Sequence, residues 1–424
     1  MTPDTHLLHG PWRATHPSGR PRVLLADRGD PLVASMSVAM RERFDVVQQL
    51  DTDLTPAERV LVAATTVRPG RRAWAERFFK SNLGVAIRSR RARAGLAGTA
   101  GSADVVFQTH ALFDTSDDRT VMYLDCTHRQ SMQQWPAWNP LRGRALDRWL
   151  RRELHQYQAA AHLFAFAEET ARSLVEEYGV ARERVSVVGA GLNFDHLPRL
   201  PEVAAARSGP PTVLFVGNDF ERKGGHALLA AFAELRRRVP EARLRIVGTP
   251  YAVPAQDGVE RLGRVHGRDH MSQLYAEADV FCLPSYFDPF PGALLEAMAH
   301  GLPCVVTRTC GVPEMVVDGV TALTVGRDEQ MVDELATALE RLLVDQDAAA
   351  RMGLRGRRRV EERFLWSHVV DRMAPVIERL AETQPPTAPA HGRTPPAGTH
   401  ATAHRSPSST STSSTSTMPS HVTN

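Results

Sequence analysis

Lysine is almost missing from this 424-residue sequence; it occurs at positions 80 and 223, and arginine supplies the rest of the 51 basic residues. Such a bias follows base composition and carries no function by itself, but it makes Lys80 and Lys223 worth inspecting. Cysteine is scarce too. Cys126, Cys282, Cys304 and Cys310 show no C-x-x-C spacing, which argues against a disulfide or zinc framework and fits reduced thiols. There is no run of about 18 apolar residues, so no segment is expected to span a membrane. The opening stretch MTPDTHLLHGPWRATHPSGRPR has no apolar core of a secretory signal, and the expected location is the cytoplasm. No G-x-G-x-x-G occurs: GAGLNF at 189–194 breaks at Phe194, which argues against a dehydrogenase. Lys223 is followed by glycine and lacks the P-loop spacing. The formal net charge is only +3, and no nucleic-acid partner is expected.

What is present is an alternation of short apolar runs with helical stretches. Runs at 22–26, 104–107, 120–124, 161–167 and 184–188 read as strands, with helices at 145–160 and 168–178. A second series has strands at 212–217, 243–248, 279–284, 303–307 and 321–325, and helices at 224–238, 269–278, 292–300, 328–344 and 347–362. Near-continuous apolar strands fit parallel sheets covered on both faces. The expected organisation is an α/β pair of Rossmann-like domains at 21–195 and 212–364, joined by a Pro-containing linker at 196–211. An amphipathic helix at 365–382 follows, with a kink expected at Pro375, and could cross back to the first domain. Residues 1–20 and the Ser/Thr/Pro-rich 383–424 are expected to be unordered.

Ligands of such sheets bind beyond the carboxyl ends of the strands. The strand at 279–284 runs into a loop that carries Asp288; Pro291 and Gly292 open a helix, and Glu296 lies about one turn inside. Two carboxylates and a row of amide donors therefore share one spot. Carboxylates suit the vicinal hydroxyls of sugar and ribose, and a helix N-terminus suits a diphosphate. The same spacing also fits a glutamate that only stabilises its own helix turn. The strand at 212–217 ends at Gly217, and Arg222, Lys223 and Gly224 lead into the next helix. A lysine at a glycine-rich helix start reads as a phosphate clamp, or as an exposed surface lysine.

The stretch D-P-F-P-G-A-L-L-E-A-M-A resembles the acidic-x7-acidic motif of the family-4 retaining glycosyltransferases (glycosyl transferase group 1), which have the GT-B fold. The resemblance spans roughly residues 20–380 and rests mainly on the C-terminal domain. It implies a hexosyl transfer from a nucleotide-diphosphate sugar to the hydroxyl of a glycan or lipid-linked acceptor, with retention and with no metal or further cofactor. In its terms Asp288, Phe290 and Gly292 contact the donor sugar, Glu296 holds the ribose, and Lys223 meets the diphosphate. The first acid is usually glutamate in the family. Asn218 stands where many members have an arginine, which leaves Arg222 as the expected second cation. The small-residue turn at 307–315, with Gly311 and Glu314, also matches. His128, after the strand at 120–124, takes the place of a histidine that faces the donor sugar, though a lone histidine is more often structural. Gly29 remains of a glycine-rich loop near the diphosphate. Two other readings stay open: an epimerase on the same fold, and a non-catalytic sugar-nucleotide-binding or membrane-associated protein.

Residues 68–93 carry nine positive charges and one glutamate. Trp74, Phe78, Phe79 and Leu83 can share a helical face, which would suit an anionic membrane surface at the inner face of the plasma membrane. A solvated face packed on its own domain fits equally. Asp51-Thr52-Asp53 has the D-x-D pattern of a metal site of another glycosyltransferase fold, but lies outside any nucleotide-binding loop.

Overall fold

Two six-stranded sheets organise the computed structural model, which describes residues 19–383 apart from 30, 100, 195–196, 200–208 and 250–252. The tail from 384 on, most of 1–20 and most of the 196–211 linker lie outside the described residues. The first sheet contains β1 (Arg22–Asp27), β2 (Asp45–Asp51), β3 (Val105–Thr109), β4 (Thr120–Leu124), β5 (His162–Ala165) and β6 (Val185–Val187), in the order β2-β1-β3-β4-β5-β6. The second contains β7 (Thr212–Val216), β8 (Arg243–Val247), β9 (Val259–Gly263), β10 (Val280–Leu283), β11 (Cys304–Thr307) and β12 (Leu323–Val325), in the order β12-β11-β10-β7-β8-β9. Neighbouring strands pair in parallel in both, for example β7 with β8 and β10.

The central strands are apolar because helices cover both faces: β3, β4 and β10 are buried at every residue. Two strands have no counterpart among the expected runs. β2 and β9 are edge strands with half-exposed, mixed sequences (DVVQQLD and VERLG), so neither reads as an apolar run.

The C-terminal helix Trp366–Thr383 packs into the core of the first lobe through Trp366, Val369, Val370, Met373 and Ile377. Burial of each such side chain stabilises by about 1.5–3 kcal/mol. Arg372 donates to the Val188 carbonyl at 2.8 Å. The helix continues through Pro375. Proline removes one main-chain bond there, and the buried residues on either side hold the helix against the lobe.

The basic segment 68–93 departs from expectation. It forms two helices, Arg71–Phe79 and Asn82–Gly98, with the break at Lys80 and Ser81. The Ser81 hydroxyl accepts from Gly84 N at 3.0 Å and caps the second helix, so Leu83 does not share a helix with Trp74, Phe78 and Phe79. Arg88 is fully buried, 3.6 Å from Asp53, rather than part of a solvated basic face. Among the described residues, no helix is long and apolar enough to cross a membrane.

Candidate functional site

The order of the second sheet reverses between β7 and β10, and a doubly wound sheet opens its ligand crevice at such a point. The loops that follow these two neighbouring strands carry Lys223 and Asp288. They touch through their backbones. Tyr286 N donates to the Arg222 carbonyl at 2.9 Å. Gly224 has φ +73°, and a Cβ there would run into the Pro284 carbonyl oxygen. A Cβ on Gly217 would collide with the Lys223 stem, so the strand-end glycine makes room for the lysine to lie across β7.

That packing aims the ammonium at one carboxylate. Lys223 Nζ donates to Asp288 Oδ2 at 2.7 Å, with both side chains about nine-tenths buried (11% and 10% exposed). Partial burial lowers the effective dielectric and strengthens the pair. Arg222 approaches the same oxygen at 3.6 Å. It is also an internal brace: Nη1 donates to the Phe287 carbonyl at 2.6 Å, and Nε lies 3.3 Å from Asp219.

Gly292 opens the helix Gly292–Ala299, and its Cα faces open space, with no atom within 4 Å of an added Cβ. The unpaired amides of that turn therefore border an accessible crevice. Glu296, one turn in, accepts a bond from the Tyr275 hydroxyl at 2.8 Å. Burial holds the Glu296 carboxyl above the usual range, and the Tyr275 bond and the charges of Arg268 and Lys223 pull the other way. Tyr275 stacks on His300 at 5.1 Å, and His300 Nδ1 sits 2.7 Å from the Glu296 carbonyl. Sequence spacing could not reveal Tyr275, which arrives from the helix Arg268–Glu277.

Phe290 packs between the lobes, edge-on to Phe166 at 6.0 Å and to Phe364 at 6.1 Å. Gly311 permits this approach, since a Cβ there would lie 2.7 Å from the Pro289 carbonyl oxygen. Glu314 accepts from Glu168 N across the cleft at 2.9 Å. Gly29 follows β1 with φ +73°, and its amide donates to Asp27 at 2.7 Å. His128 starts the helix His128–Gln134 and is buried, with its ring 5.6 Å from Trp149. Burial lowers its pKa to about 3, with Lys80 and Arg152 adding repulsion, so the imidazole is neutral. Among the described residues, its hydrogen bonds and ring contact lie within the first lobe. Asp53 is engaged by Arg59 at 2.5 Å, and among the described residues no three of His, Cys, Asp and Glu converge as metal ligands.

Residues 210–345 match the family model described as Glycosyl transferases group 1. The D-inositol 3-phosphate glycosyltransferase of Nocardia farcinica is 35% identical over 245 residues, which cover 52% of this chain and 53% of that protein. The chain thus spans about half the length of the curated relatives it matches. Among solved structures, sucrose-phosphate synthase from Thermosynechococcus elongatus aligns with a TM-score of 0.63 at 18% identity, covering 86% of this chain and 100% of that one. Anabaena HepE in complex with UDP and glucose aligns at 0.59 and 16%, covering 85% and 100%. The fold is GT-B.

Proposed function

We propose that this chain, whose residues 210–345 match the Glycosyl transferases group 1 model, transfers a hexosyl group from a nucleotide-diphosphate sugar to an acceptor hydroxyl on a glycan or glycolipid. One observation carries the reading. At the switch point of the second sheet, a lysine–carboxylate pair, an open helix N-terminus and a half-buried glutamate lie together. A nucleotide sugar has a matching group for each.

The Lys223 ammonium has two protons beyond the one given to Asp288, and these meet the diphosphate. The amides at Gly292 add donors without carrying a full charge. Asp288, oriented by Lys223 and Arg222, accepts from sugar hydroxyls, and Glu296 accepts from the ribose diol. Transfer forms the bond from the acceptor oxygen to the anomeric carbon and breaks the bond from that carbon to the diphosphate. The acceptor proton passes to the departing diphosphate oxygen. Lys223 and the helix dipole stabilise the charge that develops there. We assign a same-face displacement with retention and no metal, since the charge on the leaving group is met by Lys223 and amides. His128 would act from the first lobe on the donor sugar only after a rearrangement that brings its ring to the crevice.

The configuration of the product tests this mechanism. NMR of the first-formed glycoside, in buffer containing EDTA, should show the anomeric configuration of the donor and undiminished turnover. An inverted product, or loss of turnover on chelation, would overturn it. Exposed Trp74, Phe79 and Leu83, with the exposed Arg68, Arg90 and Arg93 of the same segment, support a contact with anionic lipid. Liposome co-sedimentation no better with anionic than with neutral lipid would remove that part.

A further inference from the structure

The lobes meet at an aromatic seam beside the donor crevice. Trp135 lies nearly parallel to Tyr286, with ring centres 6.5 Å apart and planes at 8°. Trp138 stands edge-on to Phe287 at 5.4 Å. The Arg222 guanidinium sits 4.5 Å from the centre of the Trp138 ring. Tyr286 and Phe287 are the two residues before Asp288, and Arg222 donates to the Phe287 carbonyl.

On its other side this tryptophan is rooted in the first lobe. Lys80 Nζ donates to the Trp138 carbonyl at 2.6 Å and to Asn139 Oδ1 at 3.1 Å. Asn139 is buried, and the further partner of Lys80 is Glu76 at 3.8 Å. Among the described residues, every hydrogen-bond and ion-pair partner of Lys80 belongs to the first lobe. A chain of contacts therefore runs from Lys80 through Trp138 to Arg222, Phe287 and Asp288, and it crosses from one lobe to the other at Trp138.

We infer that Trp138 is a positioning residue for the donor site and Lys80 its tether: the first lobe completes the nucleotide-sugar site by pressing Trp138 onto Arg222 and Phe287. The ring shields the guanidinium from water and keeps it on the Phe287 carbonyl, which fixes the approach of Asp288 to Lys223. The inference rests on the glycosyltransferase reading.

Calorimetric titration of the full chain with UDP, GDP and ADP in turn separates the two ideas. The wild type, Trp138→Phe, Trp138→Ala, Lys80→Met and Trp74→Ala are compared. Trp74 is a partly exposed tryptophan on the Arg71–Phe79 helix and controls for loss of an indole. The nucleotide that binds the wild type should bind Trp138→Ala about tenfold more weakly, as expected for a lost shielded cation–π contact. Trp138→Phe should recover part of the affinity. Lys80→Met should weaken binding in the same direction, and Trp74→Ala should not. If Trp138→Ala does not fold, judged by its circular dichroism, Trp138→Phe and Lys80→Met decide. Wild-type affinity in folded Trp138 and Lys80 variants would overturn the inference and leave the function standing. Failure of the wild type to bind any of the three would overturn the function itself.

Discussion

Lys223 Nζ and Asp288 Oδ2 lie 2.7 Å apart although they enter from different loops, 65 residues apart in the chain. Arg222 stands farther off, 3.6 Å from the same oxygen, so the lysine and the carboxylate act as one unit. Lys223→Met and Asp288→Asn should each lower turnover by about 100-fold or more, as for loss of a charge-stabilising donor. The double variant should be no worse than the worse single one, because partners in one network do not add. Steady-state kinetics on the four proteins checks this.

Gly224 holds the two loops in backbone contact. Gly224→Ala places a side chain at φ +73° and against the Pro284 carbonyl, so it should destabilise by about 2–3 kcal/mol. Gly292→Ala faces open space and should change stability by less than about 0.5 kcal/mol. Urea denaturation of both variants gives the comparison.

Burial raises the Glu296 carboxyl above its ordinary value of 4.5. Only the ionised form accepts from both ribose hydroxyls, so nucleotide affinity should fall as the pH drops into the range where Glu296 protonates. Tyr275→Phe removes the 2.8 Å bond that favours the ionised form and should move this loss to higher pH. Glu296→Gln should remove that part of the pH dependence. Nucleotide titrations across pH read all three.

Two buried histidines set an acid limb of stability. Burial depresses His128 to about 3 and His162 to about 4, from an ordinary 6.5. Below pH 6.5 the unfolded chain takes up protons that the folded chain refuses. Stability is therefore full above 6.5 and declines as pH falls towards those values. The double variant His128→Gln/His162→Gln should show a shallower decline of melting temperature between pH 6.5 and 4.

The central strands and the donor-side loops were legible because both speak through local pattern. Apolar runs mark buried parallel strands, and Gly217 and Gly224 mark places where the chain makes room for the Lys223 stem and the Pro284 carbonyl. The edge strands β2 and β9 were not, since one exposed face leaves them a mixed composition. Side-chain partners drawn from distant segments were not legible either. Tyr275 on Glu296, Trp138 on Arg222 and Glu314 on Glu168 depend on how helices dock. The basic segment was misread because helical periodicity ran across Lys80–Ser81, where the Ser81 cap begins a new helix. His128 was assigned from its place after β4, and its packing against Trp149 comes from a helix that spacing does not show.

Binding and activation of a nucleotide sugar are proposed for the Lys223–Asp288–Glu296 crevice. Incubation of the wild type, Lys223→Met and Glu296→Ala with a panel of labelled UDP-, GDP- and ADP-hexoses, scored for release of nucleoside diphosphate, measures this directly. The account predicts release from at least one donor by the wild type and a loss of about 100-fold or more in Lys223→Met. Equal release by wild type and both variants, or none from any donor, would contradict it.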